Sequence, residues 1–224
     1  ASGNYVVFFD DDDVWFPSKL EQQLAKIKKG DFDFVMSYYM VNNTIDNIKY
    51  VKKLRGFEKN FVSNIVAGPG PFFQCCLFRA SFIKDKIALL DSRAEPSEDW
   101  DFFLSISQKN ITAGIVRQVL FQWNLTKKSQ SRNYTKETCA IQYIVSKHKQ
   151  HIIECGSWAV LSRHYRVLGC RFYYVKDFNQ SSYYYKKAFR AWPYSIKNIL
   201  YRIINLLPET IRKVFLQRLV KKIV

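Results

Sequence analysis

Two clusters of acidic residues carry the chemistry this sequence can offer. The first is Asp10-Asp11-Asp12-Asp13, four carboxylates in a row at the end of the apolar run Tyr5-Val-Val-Phe-Phe9. Neighbouring like charges repel unless a cation or a bound proton relieves them. The cluster reads either as a solvated turn with one Asp capping the next helix or as a hard-metal site. Mg2+ or Mn2+ takes one or two carboxylates and completes its shell with water and substrate phosphate oxygens. The second is Ser97-Glu98-Asp99-Trp100-Asp101 at the start of a helical pattern. The helix dipole favours acids in a first turn, and Ser97 suits a cap. A carboxylate held there can also serve as a general base toward a hydroxyl. His148-x-x-His151 with Cys155 shares one helical face, the spacing of a zinc site, but no second ligand cluster accompanies it, so ordinary helix-surface residues are the expectation.

These acids need elements to hold them. Tyr5–Phe9 reads as a central strand with a polar C-terminal end, and Ser18-x-x-Glu21 as a capping box opening a helix through Leu20, Leu24 and Ile27 that stops at Gly30. Strands are expected at Asp33–Met40, with Asn42-Asn43-Thr44 as the turn, at Gln74–Phe78 after the Gly68-Pro69-Gly70-Pro71 loop, and at Ala113–Trp123. Asp99–Gln108 has helical spacing. Strand and helix alternate over about the first 125 residues, which argues for an α/β layer fold, and from about Thr135 the pattern is helical. Residues 157–193 resemble a single tetratricopeptide unit, a helical hairpin expected to pack on the first domain. The last helix is expected from Pro208, with Ile211, Val214, Phe215, Leu219 and Ile223 along one stripe.

Composition narrows the function classes. With 48% hydrophobic residues in 224, the chain can bury a core and is not a disordered segment. Its net charge of +16 is unevenly placed: residues 1–125 hold 15 basic and 15 acidic residues, whereas residues 126–224 hold 20 and 4. The acid-bearing part is neutral and the helical part strongly basic, which argues for an anionic surface there; no nucleic-acid-binding signature accompanies it. Five cysteines without C-x-x-C spacing suit a reducing compartment. The sequons at Asn42, Asn124, Asn133 and Asn179 read as chance matches, and no stretch reads as a bilayer span.

The segment Ser2-Gly-Asn-Tyr-Val-Val-Phe-Phe-Asp-Asp-Asp-Asp-Val-Trp-Phe-Pro-Ser-Lys-Leu-Glu21 resembles the central part of family 2 glycosyltransferases, inverting enzymes of GT-A type, at their DXD motif. Glu98-Asp99-Trp100 resembles the same family's later acidic motif. The resemblance implies the C-terminal half of a GT-A domain, a Rossmann-like mixed sheet, over residues 1–130, followed by an all-helical region over 131–224. It implies an upstream nucleotide-binding half before Ala1. Residue by residue it implies Asp10 and Asp12 as metal ligands for Mg2+ or Mn2+, and Asp10, Asp11 and Asp12 near the donor with Lys128 and Arg132. Asp99 is implied as catalytic base, and Gln74, Glu98 and Trp100 on the acceptor side. Phe72 and Phe73 are expected mainly in the core. The implied partners are a nucleotide-diphosphate sugar donor, a saccharide or lipid-linked saccharide acceptor, and an anionic membrane surface rather than nucleic acid. The implied role is in cell-surface polysaccharide synthesis, in the cytoplasm at the inner face of the plasma membrane. The alternative is a non-catalytic basic helical module, binding protein or nucleic acid, on a transferase remnant.

Overall fold

The computed structural model describes residues 2–86, 90–127, 129 and 133–207. The chain divides into two compact units, residues 1–92 with 98–132, and residues 93–97 with 133–224.

In the first unit, β1 (Tyr5–Val6), β2 (Val14–Trp15), α1 (Lys19–Lys29), β3 (Phe34–Asn43), β4 (Ile48–Lys52), α2 (Phe61–Ala67), a 3-10 turn (Phe73–Cys75), β5 (Cys76–Arg79), α3 (Ala80–Ile83), α4 (Glu98–Ile106) and β6 (Ala113–Leu125) follow in order. The sheet is mixed. Its order is β1-β5-β3-β6-β2, with β4 also on β3, and β3 runs parallel to β6 and antiparallel to β4 and β5. β3 is buried continuously from Phe34 to Tyr39, as a strand covered on both faces must be. Against its inner end pack the rings of Phe34, Phe61, Phe78 and Phe103, with centroids 5.4 to 6.4 Å apart. On the other side α1 lays Ile27 against Val35 and Leu77. Arg79 closes the end of α1, its guanidinium donating to the carbonyls of Ile27, Gly30 and Phe32.

Several sequence expectations shift. The run Tyr5–Phe9 forms only a two-residue strand, β1, which among the described residues pairs with β5. The Ser18 side chain makes no capping bond; α1 starts instead on Ser18's carbonyl, which accepts from the Gln22 N–H. Asn42 and Asn43 belong to β3, and the reversal falls at 44–47, where Asn47 takes a positive φ of 51°. Gln74 and Cys75 form the 3-10 turn rather than strand.

The second unit contains α5 (Tyr134–Lys147), α6 (Lys149–Cys155), α7 (Trp158–Tyr174), α8 (Phe178–Ala191) and α9 (Ile196–Ile204). Side chains of Asn133, Ser157 and Asp177 cap α5, α7 and α8. α7 and α8 form the hairpin seen in the sequence, and Gly169 lets them close: a Cβ there would stand 2.6 Å from the Tyr185 ring. Tyr185 stacks on Tyr201 at 4.7 Å in a core with Cys170, Tyr173 and Ile204. The hairpin is covered by α5, α6 and α9 of its own unit. His148 is buried and His151 is not, so the two do not present one exposed pair; Cys155 Sγ lies 3.6 Å from His151 Nδ1. The expected terminal helix, 208–224, lies outside the described residues, as do Lys128 and Arg132.

Candidate active site

The aspartate run is folded by partners more than a hundred residues away. The Asp13 N–H donates to the Asp10 carbonyl, making a tight turn. β2, which follows it, pairs with β6 at Gln122 and Phe121. Asn124, next along β6, completes the hold: its N–H donates to Asp13 Oδ1 at 2.9 Å and its side-chain amide to the Asp12 carbonyl at 2.7 Å. Asn124 Oδ1 is itself fixed by amide donors from Asn42 and Gln122. Two sequons are thereby accounted for as structural hydrogen-bonding residues.

Within this turn, carboxylate oxygens of Asp10, Asp12 and Asp13 lie within 4.8 Å of one another. Asp10 and Asp12 are exposed, whereas Asp13 is 7% exposed. Asp13 belongs to the acidic run but was not among the ligands the resemblance implies, and Asp11, implied on the donor side, is outside the trio. Burial pushes the Asp13 carboxyl up to about 7, against the Asn124 N–H that lowers it, and the charges of Asp12 and Asp10 add to the rise. Three hard oxygen donors in one turn, one of them raised by burial and by its like-charged neighbours, fit a small divalent cation.

The 3-10 turn ties this cluster to the second acidic motif. The Phe73 N–H donates to Asp99 Oδ1 at 3.1 Å, and the next side chain, Gln74, donates through Nε2 to Asp10 Oδ2. One three-residue turn thus reaches Asp99 with its backbone and Asp10 with a side chain. Asp99 is half-buried in the first turn of α4, and its other carboxylate oxygen has no hydrogen-bond donor among the described residues. Burial, followed by the charge of Glu98, raises its carboxyl well above the usual aspartate range. It is consequently a stronger base than a free aspartate.

The turn in turn rests on a buried polar relay that sequence reasoning missed. Lys19 is 1% exposed; its Nζ donates to Gln23 Oε1 at 2.6 Å and sits 4.9 Å from the Trp15 ring. Gln23 Nε2 donates to the Cys75 carbonyl at 2.8 Å, which the Ser37 hydroxyl also approaches at 3.4 Å. Burial lowers the Lys19 ammonium's affinity for its proton. Lys19 and Gln23 at i and i+4 on a helix that also shows Lys26, Lys28 and Lys29 look like surface residues in sequence.

Of the expected acceptor-side residues, Gln74 and Glu98 flank Asp99, but Trp100 does not open to the site. It is 3% exposed, and its Nε1 donates to the Ile65 carbonyl at 2.9 Å, pinning α4 to α2. Adjacent residues at the start of a helix point about 100° apart, so Asp99 and Trp100 cannot share a direction. Phe73 is core, packed on Phe102 and Phe103; Phe72 lies between Tyr39 and Trp123.

Residues 1–86 match the sequence family described as glycosyl transferase family 2. Over 142 residues the chain is 29% identical to UDP-Glc:alpha-D-GlcNAc-diphosphoundecaprenol beta-1,3-glucosyltransferase WfgD of Escherichia coli, covering 61% of this chain and 52% of that protein. Over 126 residues it is 27% identical to an uncharacterized glycosyltransferase of Rickettsia bellii, covering 53% of this chain and 17% of that protein. The chain thus spans about half the length of the first relative and much less of the second. With its mixed sheet, its aspartate turn and these matches, the first unit of this chain resembles glycosyl transferase family 2 over residues 1–86.

Proposed function

We propose that this chain forms the metal- and base-bearing part of an inverting glycosyltransferase that takes a sugar from a nucleotide-diphosphate donor to a hydroxyl acceptor. The observation that carries the reading is the turn Phe73–Cys75, which reaches Asp99 and Asp10 at once. Asp10 and Asp12, with Asp13, would hold Mg2+ or Mn2+, whose positive charge stabilises a departing nucleoside diphosphate. Asp99, oriented by the Phe73 N–H, takes the proton of the acceptor hydroxyl as it attacks the anomeric carbon from the face opposite the leaving group. Configuration inverts in that single displacement. Gln74 holds the Asp10 carboxylate in place beside the donor, Asp11 is exposed on that turn, and Lys128 and Arg132, outside the described residues, are the basic residues proposed for the donor diphosphate. Glu98 and Gln74 border the acceptor.

The named substrate of the E. coli relative is a sugar on diphosphoundecaprenol, a membrane lipid. By that analogy the acceptor here is a lipid-linked saccharide of cell-surface polysaccharide synthesis, met by a protein peripheral to the cytoplasmic face of the membrane. No described helix is long and apolar enough to cross a bilayer.

Mn2+-dependent transfer from sugar nucleotides tests the reading. Asp12→Ala and Asp99→Asn should each abolish it, and product anomers should show inversion. Full activity in both variants would remove the assigned roles.

A further inference from the structure

From the placement of α9 we infer that its outer face is the surface that rests on an anionic bilayer. This deepens the lipid-linked acceptor reading and rests on it for the choice of a bilayer as partner. α9 has two unlike faces. Its inner face is fixed by polar bonds: Asn198 is buried, its side-chain amide donating to Ser162 Oγ at 2.6 Å and to the Ala188 and Trp192 carbonyls, while Arg166 donates to its Oδ1 at 2.8 Å. Tyr201 and Ile204 complete that face in the core. A helix held this way cannot roll, so what lies opposite is set.

What lies opposite is aliphatic. Ile196 is 83% exposed, Ile203 53% and Leu206 67%, with Ile199 and Leu200 also exposed between them. At about 100° per residue the four on α9 occupy an arc of roughly 100°, and Leu206 follows in the turn just beyond the helix. A soluble helix does not normally turn its Ile and Leu outward while burying an Asn, and a contiguous apolar face of this kind marks a contact surface. Two features say what it contacts. Trp192 and Tyr194, both exposed and 5.4 Å apart, stand immediately before α9, and aromatic rings with a polar edge concentrate at the headgroup level of a bilayer. From Phe178 to Leu207 there are five basic residues and no acidic one, with Lys197 and Arg202 on α9 itself. Apolar residues flanked by Lys and Arg, without acids, are complementary to anionic lipid headgroups over acyl chains.

The test is sedimentation of the full chain with phosphatidylcholine vesicles, with and without phosphatidylglycerol. Binding is expected to the phosphatidylglycerol vesicles and to weaken with salt. Ile196→Ser/Ile203→Ser/Leu206→Ser, all at exposed positions, should lower apparent vesicle affinity on the order of tenfold or more while helical circular dichroism is unchanged. Should that variant lose its fold, quenching of native-chain fluorescence by brominated lipid is compared with Trp192→Phe, which should lose part of the quenching. The inference is overturned if the wild-type chain ignores phosphatidylglycerol vesicles, if the folded triple variant binds as well as wild type, or if Trp192→Phe leaves quenching unaltered. It is equally overturned if the face proves to join two copies of the chain, with the wild type dimeric and the variant monomeric. No sugar nucleotide is present in this assay, so its failure leaves the transfer reading standing, and loss of turnover in Asp12→Ala would not move it.

Discussion

Replacing Gln23 by Leu should disable the relay beneath the candidate site. The substitution fills similar space and removes two bonds: the acceptor of Lys19 Nζ at 2.6 Å and the donor to the Cys75 carbonyl at 2.8 Å. The carbonyl keeps only the long contact from Ser37, a loss of about 1 kcal/mol. The Lys19 amine, 1% exposed, keeps only the Trp15 ring face, and leaving a buried charged donor without an acceptor costs about 1.5 to 3 kcal/mol. Gln23→Leu should thus destabilise by about 2.5 to 4 kcal/mol in urea unfolding near neutral pH. Removing both partners is milder, since Lys19→Met/Gln23→Leu leaves no stranded charge; the double variant should regain about 1.5 kcal/mol or more over Gln23→Leu alone. A pH series adds a second readout. Burial lowers the folded-state pKa of Lys19 below the ordinary 10.5, so unfolding takes up a proton in the window between the lowered value and 10.5. The site's contribution to stability therefore rises with pH through that window, and Lys19→Met should flatten the rise. A Gln23→Leu cost under about 1 kcal/mol, or a double variant weaker than the single, would refute the relay.

Other outcomes follow from the same geometry. Asp99→Asn should abolish transfer yet stabilise the fold, because the raised carboxyl favours folding only while protonated and loses that contribution as pH rises through its folded value; the gain in melting temperature should be larger near pH ~8 than near pH ~5, and an equal gain at both would count against burial as the cause. Mn2+ should raise the melting temperature of the wild type and not of Asp10→Asn/Asp12→Asn; at a cation concentration about tenfold above Kd the stabilisation is about 1.4 kcal/mol, and an unresponsive wild type would sink the metal assignment. Asn124→Ala should weaken Mn2+ binding in calorimetry by loosening the Asp12–Asp13 turn, and unchanged affinity would show that the turn holds without it. Gly169→Ala should cost about 1 to 3 kcal/mol in thermal unfolding by pressing on Tyr185, with Gly169→Ala/Tyr185→Leu recovering part of it; a neutral single substitution would mean the two helices separate freely.

Much of the candidate site was legible before any coordinates. Four adjacent aspartates after an apolar run, and an acidic helix start some 86 positions later, stand out because charge and periodicity are local properties. The residues that join them were not legible. Gln74 reads as part of a strand, Asn124 as a sequon, and Lys19 and Gln23 as solvated helix positions; each acquires its role from a partner 52 to 112 residues away or from burial by such partners. Trp100 failed as an acceptor residue for a related reason: an aromatic beside a base looks like a sugar platform until α2 is seen to cover it.

By itself the sequence determined the alternation of strand and helix, the change to helices near Thr135 and the confinement of excess positive charge to that second part. It also determined where the acidic residues cluster along the chain. Only the tertiary structure decided which carboxylates lie together. It put Asp13 in the trio and left Asp11 out, with Asn124 of β6 donating to the Asp13 carboxylate and the Asp12 carbonyl. It also decided that α9 buries Asn198 and exposes its isoleucines. Periodicity reports that a helix has an apolar stripe; only the polar partners waiting in the core, here Ser162, Arg166 and two carbonyls, settle which way the stripe faces.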